Sequence, residues 1–479
     1  MPGASHSIHS AADNRRSQSP LRRTLRLSQQ EAVASAAMTA TSDNFLNAFA
    51  VYLHASAVQM GWLTALPQLF GAFWQLLSAW MGNHVRRKTL VVVAALLQAL
   101  IVTLLALLAL QQVFFPSGAW QVTALIALAV GYFSCLNIVQ PHWRAWMGSL
   151  VPARRRGVFF AKRTSLTMVT SLLVFILGGV LLNYSASSDL TWLGFFVLFA
   201  IAASGRFVSG RLMQRMHDPH PSPSEADSVQ FRTSLQHMFE SLRDPAFRNY
   251  SLFVAAMQGT VAISAPFFSV YMLRDLEFTY LQFSLNSIAS VATQFLLLKF
   301  WGRFSDRFGN RAVMILSSCI IPTLPFWWLW SPNFYYLLGV QMLSGVAWSG
   351  FTLCTANYLY DIRPHRTQFA LYAAVQSSTS ALAVFVGALL GGYAAAHAPA
   401  LWQLLWGDSA WGSPLFIIFV LSTSLRLAVA AYFLPRLHEP ELRRRPDVLQ
   451  LIYRVARLSA VSGVVLDWMS VTRKSGRSD

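Results

Sequence analysis

Charge is what this sequence has least of. Only 12% of its 479 residues are Asp, Glu, Lys or Arg, against 55% hydrophobic, and its mean hydropathy is +0.45. A water-soluble globular domain carries about 25% charged residues, so a fold with every face in water is excluded. Cysteine is scarce too. Cys135, Cys319 and Cys354 all fall inside apolar runs, which points to buried packing and excludes a disulfide framework or thiolate metal site. No G-x-x-x-x-G-K-[ST] loop occurs, so ATP hydrolysis by this chain is not expected. The first 30 residues are polar and basic, with no apolar core before a cleavage site, so no cleaved signal peptide is expected.

What the chain does have is long uncharged runs, near the ~20 residues a helix needs to cross a bilayer. Twelve are expected, at 32–54, 57–81, 89–111, 117–140, 162–184, 190–212, 248–272, 278–300, 312–330, 333–357, 369–395 and 413–435. The fold class is therefore an all-α polytopic membrane protein. The polar, Pro/Ser-rich segment 213–247 separates six spans from six. The domains are then a disordered basic arm (1–30), a six-helix bundle (31–212), a linker (213–247), a second bundle (248–440) and a basic tail (441–479) that is either an amphipathic helix or weakly ordered.

The net charge of +18 could suggest nucleic acid, but the basic residues sit in loops and tails. With the N-terminus cytoplasmic, the inner loops carry Arg86, Arg87 and Lys88, then Arg154, Arg155 and Arg156, then Arg303, Arg307 and Arg311, then Arg363 and Arg366. The outer loops carry only Arg274 of the 37 Lys and Arg. This is the positive-inside pattern, and it places both termini inside. Arg206 and Arg426 lie within spans near their inner ends and are expected to snorkel to the interface. Trp120, Trp192, Trp330, Trp402, Trp406 and Trp411 fall at outer ends, as an interfacial aromatic belt would. The expected location is a bacterial inner membrane, multi-pass, as a monomer without nucleic acid.

The two halves also resemble each other. "RMHDP" (215–219) closes the sixth span and "RLHEP" (436–440) the twelfth, while Lys88 and Arg311 close basic loops 223 residues apart. A duplicated six-helix unit explains the common offset.

The stretch "GRFSDRFGNR" (302–311) resembles the Major Facilitator Superfamily signature G-x-x-x-D-R-x-G-x-R/K, with Gly302, Asp306, Arg307, Gly309 and Arg311 in place. The resemblance implies two pseudo-two-fold-related bundles that rock about a central site. In the motif, Gly302 should allow close helix approach. Asp306 should pair with a positive group or cap a helix, locking one conformation. The first copy, "AWMGNHVRRK", is eroded: Asn83 stands in the Asp place and only Arg87 and Lys88 remain typical. The antiporter signature G-x-x-x-G-P-x-x-G-G is absent from the fifth span, which has Gly178 and Gly179 but no proline.

Polar groups at bilayer depth carry most of the functional information, because they are costly there. Of 19 acidic residues, Asp43 alone is expected at the centre of a span. It could load and release a proton, or, with Thr41, Asn44 and Asn47, hold sodium or a cationic solute. No cofactor is expected beyond such an ion gradient. The family resemblance implies that spans one, four, seven and ten line the cavity. Candidates on them are Asn44, Asn47, Asn137, Gln140, Gln258, Thr260, Phe267, Tyr271, Trp348, Thr352 and Asn357, with Ser264 and Phe268 alongside. As a set they suit a moderately amphipathic small molecule. No pair of buried cations is evident to hold an organic phosphate. Small hydroxyl residues in "TSLTMVTS", "SLNSIASVATQ" and "QSSTSA" suit close helix contacts.

The leading expectation is thus a secondary transporter working by alternating access. A transporter-like sensor or scaffold is the alternative. A membrane-embedded transferase is disfavoured, since His142, Asp361 and His365 are scattered.

Overall fold

The computed structural model describes residues 4–81, 85–114, 118–151, 156–218, 242–362, 369–407 and 412–437. Asn83, most of the linker (219–241) and the tail (441–479) lie outside them.

The first half comprises α1 (Ala4–Tyr52), α2 (Ala57–Met81), α3 (Arg87–Leu110), α4 (Ala119–Leu150), α5 (Arg156–Ser187) and α6 (Thr191–Arg215). The second comprises α7 (Pro245–Val270), α8 (Tyr280–Phe308), α9 (Asn310–Ile320), α10 (Leu324–Trp327), α11 (Phe334–Ile362), α12 (Phe369–Trp406) and α13 (Phe416–Phe433). Among the described residues, nine helices are by themselves long and apolar enough to cross a bilayer. The ninth expected span, 312–330, is split into α9, a 3-10 turn (Ile321–Thr323) and α10. Pro322 and Pro325 explain the break, since each removes a backbone donor from the helix ladder.

The repeat shows in local chemistry. At the start of α2, the Ser56 amide donates to Gln59 Oε1 (2.9 Å) and the Gln59 amide to Ser56 Oγ (3.3 Å). At the start of α8, Thr279 and Gln282 make the same reciprocal pair at 2.9 and 3.2 Å. Such capping boxes satisfy orphan amides at a helix start. The two boxes share the 223-residue offset that separates Lys88 from Arg311.

Among the described residues, Arg86, Arg87, Lys88, Arg215, Arg243, Arg303, Arg307 and Arg311 fall where α3 and α7 begin, where α6 ends and where α8 turns into α9, here called the basic end. Packing differs by depth. At the far end a single core joins both halves: Phe49 and Phe195 from the first, Phe267, Tyr271 and Phe283 from the second. At the basic end the cores separate. One holds Val91, Trp146 and Met213; another holds Tyr250, Trp301 and Tyr358.

The far-end seam is built on glycine. A Cβ on Gly61 of α2 would lie 2.8 Å from the Ala388 carbonyl oxygen and 3.0 Å from Gly392 Cα of α12. A Cβ on Gly179 of α5 would collide with Ser284 Oγ of α8. Of the hydroxyl-rich stretches, "SLNSIASVATQ" makes close contacts: Ser284 lies against Gly179 of α5, and Ser290 and Thr293 against Gly345 of α11. Among the described residues, the two halves therefore close at the far end and part at the basic end.

Several expectations need correction. The arm expected to be disordered over 1–30 is helical from Ala4, continuous with the first span. Thr24 and Ser28 are buried, because Leu21 and Leu27 pack onto the basic-end core of the first half. Arg206 and Arg426 do not snorkel: they are 1% and 2% exposed. Cys135 and Cys354 are buried as expected, but Cys319 is exposed. In the aromatic belt, Trp120, Trp330 and Trp406 are exposed, whereas Trp402 is buried against Phe416. Trp411 lies outside the described residues.

Candidate functional site

Asp43 sits nine residues before the end of α1 at Tyr52. At ~1.5 Å per residue that is ~14 Å, close to the middle of a ~30 Å hydrocarbon layer. Among the described residues no other acid lies at that depth. Ser42 Oγ faces the Asp43 carboxylate at 3.4 Å and donates to the Met38 carbonyl at 2.7 Å. The same hydroxyl lies 3.0 Å from the Tyr132 hydroxyl of α4. Tyr132 is fully buried, beside Met38 Sδ at 3.3 Å. The carboxylate thus lies beside the Ser42 hydroxyl, which is itself paired with the Tyr132 hydroxyl of α4.

α1 packs on α5 and α6 within its own half and meets α7 of the other. Part of α1 near Asp43 is left uncovered by these helices. Asn44 is exposed there, and Asp43 and Asn47 are half-buried. On α4, Gln140 is exposed; Asn137 is half-buried, donates to the Phe133 carbonyl at 2.8 Å and packs against Gly71 of α2. On α7, Gln258 and Thr260 are half-buried, the Thr260 hydroxyl donating to the Met257 carbonyl. On α11, Thr352 is exposed, and Trp348 and Asn357 are half-buried.

The aromatics divide differently. Phe267 and Tyr271 are 1% and 4% exposed and belong to the far-end core. Phe268 stacks on Phe419 at 4.7 Å. These rings close the far end, and Tyr271 also reaches the rim of a far-end pocket with Asp275 and Trp330. Ser264 is fully buried and accepts from Arg426, so it faces α13.

A second polar cluster was not legible as a site. Glu31 is 1% exposed and pairs with Arg163 of α5 at 2.5 Å. Its other carboxylate oxygen accepts from Ser209 Oγ of α6 at 3.1 Å, and Arg206 Nη1 donates to that same Ser209 oxygen at 3.2 Å. Arg163 also lies over the Trp143 ring at 3.9 Å. The available signal was the pairing of an acid just before the first span with arginines in the fifth and sixth.

Arg426 is the second buried cation. It donates to the carbonyls of Ile321 (3.2 Å) and Val261 (3.4 Å) and to Ser264 Oγ (2.7 Å). Among the described residues it has no carboxylate partner. Buried cations therefore exist, but each is engaged inside its own half rather than in the space between them.

In the motif, Gly309 has φ +86°, where a side chain is strained, and its amide donates to the Ser305 carbonyl at 2.8 Å. It turns the chain from α8 into α9. A Cβ on Gly302, by contrast, would meet nothing within 4 Å, so in this conformation Gly302 mediates no close approach. Asp306 is exposed and bonds to no described residue. Arg307 is exposed beside Phe308, and Arg311 is half-buried. On the first-half copy, Lys88 donates to the Met216 carbonyl at 2.7 Å, and Arg87 also has a partner.

The model of the Major Facilitator Superfamily matches residues 32–269 and again 250–471. No curated protein matches the chain. Solved structures do. A mutant of the nucleoside transporter NupG is 12% identical with a TM-score of 0.65, over 86% of this chain and 100% of that one. An auto-inhibited POT family peptide transporter is 13% identical with a TM-score of 0.63, over 89% and 99%. A bacterial homologue of the human lysosomal transporter Spinster, inward-facing and unoccupied, is 14% identical with a TM-score of 0.58, over 88% and 96%. Two matches of one family model, in register with two six-helix halves, lead to one conclusion: the chain belongs to the Major Facilitator Superfamily.

Proposed function

We propose that this transporter couples the movement of a small solute to a proton gradient through Asp43. The chain is a secondary transporter in a membrane, not an enzyme. The finer reading rests on one observation: Asp43, nine residues before the end of α1, is a half-buried acid beside the Ser42 hydroxyl, which pairs with Tyr132 of α4. A carboxylate so placed can take a proton from one side and give it to the other as the halves rock. Sodium is a weaker reading. Thr41 lies two residues from Asp43, so it faces the opposite side of α1, and its hydroxyl bonds the Ala37 carbonyl at 2.8 Å.

The basic end is assigned to the cytoplasm on the charge asymmetry of the loops. Parted halves at that end then make this the inward-facing state. The exposed amides and hydroxyls of Asn44, Gln140 and Thr352, with Trp348 nearby, suit a solute that is part polar and part apolar. Structures similar to this one include a nucleoside transporter, a peptide transporter and a bacterial metal transporter. Such divergent cargoes on one fold leave substrate choice to the side chains.

The test uses purified protein in proteoliposomes, with the solute first found by thermal-shift screening. Asp43→Asn should abolish accumulation driven by a pH gradient while leaving solute exchange across the membrane. Undiminished gradient-driven uptake by Asp43→Asn would refute proton coupling through this residue. Absence of any solute movement by the wild type would favour a sensor or scaffold.

A further inference from the structure

We infer that the basic end of the first half carries a binding site for the phosphate group of an anionic lipid headgroup. Three segments distant in sequence converge there around a pocket of about 690 Å³: the arm before the first span, the start of α3 and the end of α6. Its wall carries Arg23, Arg86, Lys88, Arg215 and His217 against a single acid, Asp218. Arg23, Arg86, Arg215 and His217 are exposed and bond to no described residue through their side chains. Asp218 already has a partner of its own. The pocket therefore presents uncommitted positive charge.

It is also built, not a chance gathering of surface arginines. The His217 amide donates to Thr24 Oγ1 at 3.0 Å, and Thr24 is 1% exposed, so the arm is tied to the end of α6. Lys88 Nζ donates to the Met216 carbonyl, which ties the start of α3 to the same place. Arg86 stands at the N-cap of α3 without a side-chain cap, so the first amides of that helix add their partial positive charge. Arginine, lysine and helix amides together are the chemistry that holds phosphate.

Position selects the source of the phosphate. α3 begins at Arg87 and α6 ends at Arg215, so the pocket lies where apolar helix gives way to polar loop. That is the depth of lipid headgroups, and basic pockets there attract anionic lipids. An occupant would fasten the arm, continuous with the helix that carries Asp43, to α3 and α6.

The experiment measures Tm of the full chain in nanodiscs of phosphatidylcholine with and without phosphatidylglycerol. The wild type should melt higher with the anionic lipid. The triple variant Arg23→Ala, Arg86→Ala, Arg215→Ala should lose most of that rise. A charge-matched control outside the pocket, Arg22→Ala, Arg26→Ala, Arg211→Ala, should keep it. Native mass spectrometry should show one retained anionic lipid fewer on the pocket variant. If the triple variant does not fold, the single variants Arg86→Ala and Arg215→Ala should each lose part of the rise. No rise in the wild type, or equal loss in both triples, would overturn the site. An equal rise from millimolar inorganic phosphate in neutral discs would overturn the lipid and assign a soluble phosphate instead.

Discussion

Glu31 and Arg163 meet at 2.5 Å, joining α1 to α5 inside the first half. The side chains are 2% and 17% exposed, and Ser209 brings α6 into the same cluster. One acid thus organises three helices on the half that carries Asp43.

Removing that acid should be costly. Glu31→Gln leaves Arg163 without its charge partner and Arg206 with a neutral neighbour, and breaking one side of a buried pair typically costs about 3–5 kcal/mol. A marked fall in Tm is expected in detergent solution. The double variant Glu31→Gln, Arg163→Gln should recover part of it. Wild-type stability in Glu31→Gln would show the pair to be incidental.

The two motif glycines should behave differently. Gly309→Ala forces a side chain into positive φ, at about 1–2 kcal/mol, and should lower Tm. Gly302→Val meets open space here and should leave Tm unchanged. If Gly302 serves a close approach only in the opposite conformation, Gly302→Val should still slow transport. Transport at the wild-type rate would remove Gly302 from the mechanism.

Asp306 carries no described partner in this conformation, as a charge released from a lock would. Asp306→Asn should therefore slow the transport cycle more than Asn83→Ala, the corresponding place in the eroded copy. Equal rates for the two variants would show that neither copy acts through charge.

How far the sequence could be read depended on the range of the interaction. Two six-helix halves follow from local hydropathy and the internal repeat, and the helix order and the two matches of the family model agree. Partners across helices were not legible. Tyr132 and Ser42 look like ordinary span residues until α4 is packed on α1. Phe267 and Tyr271 read as cavity aromatics because helix number was known but helix face was not. Arg206 and Arg426 read as snorkelling because their neighbours were unseen: backbone carbonyls, serines and Glu31 make burial tolerable. The helical arm was missed because its composition is polar, while its order comes from a few apolar residues packing on α3 and α6.

The broken ninth crossing depends on Arg426. Pro325 cannot donate to the Ile321 carbonyl, and Arg426 donates to it from α13 at 3.2 Å. Arg426→Met should leave that carbonyl, Val261 and Ser264 under-satisfied, at about 1–3 kcal/mol for each buried group. A large loss of Tm is expected, with partial recovery in Arg426→Lys. An unchanged Tm would mean that water replaces the guanidinium.

The seam at the far end joins backbone to backbone through Gly61, Gly179 and Gly392, with aromatic rings behind it and few charges. The other end holds nearly all the arginine and lysine. The two ends therefore respond to different forces: dispersion closes one, and Coulomb forces among exposed like charges act at the other. Dispersion is indifferent to ionic strength, whereas exposed charges are screened within about 8–10 Å at physiological salt. Salt thus acts on one gate only, and the resting balance between the two faces of the transporter becomes a property of the ionic medium as well as of the protein.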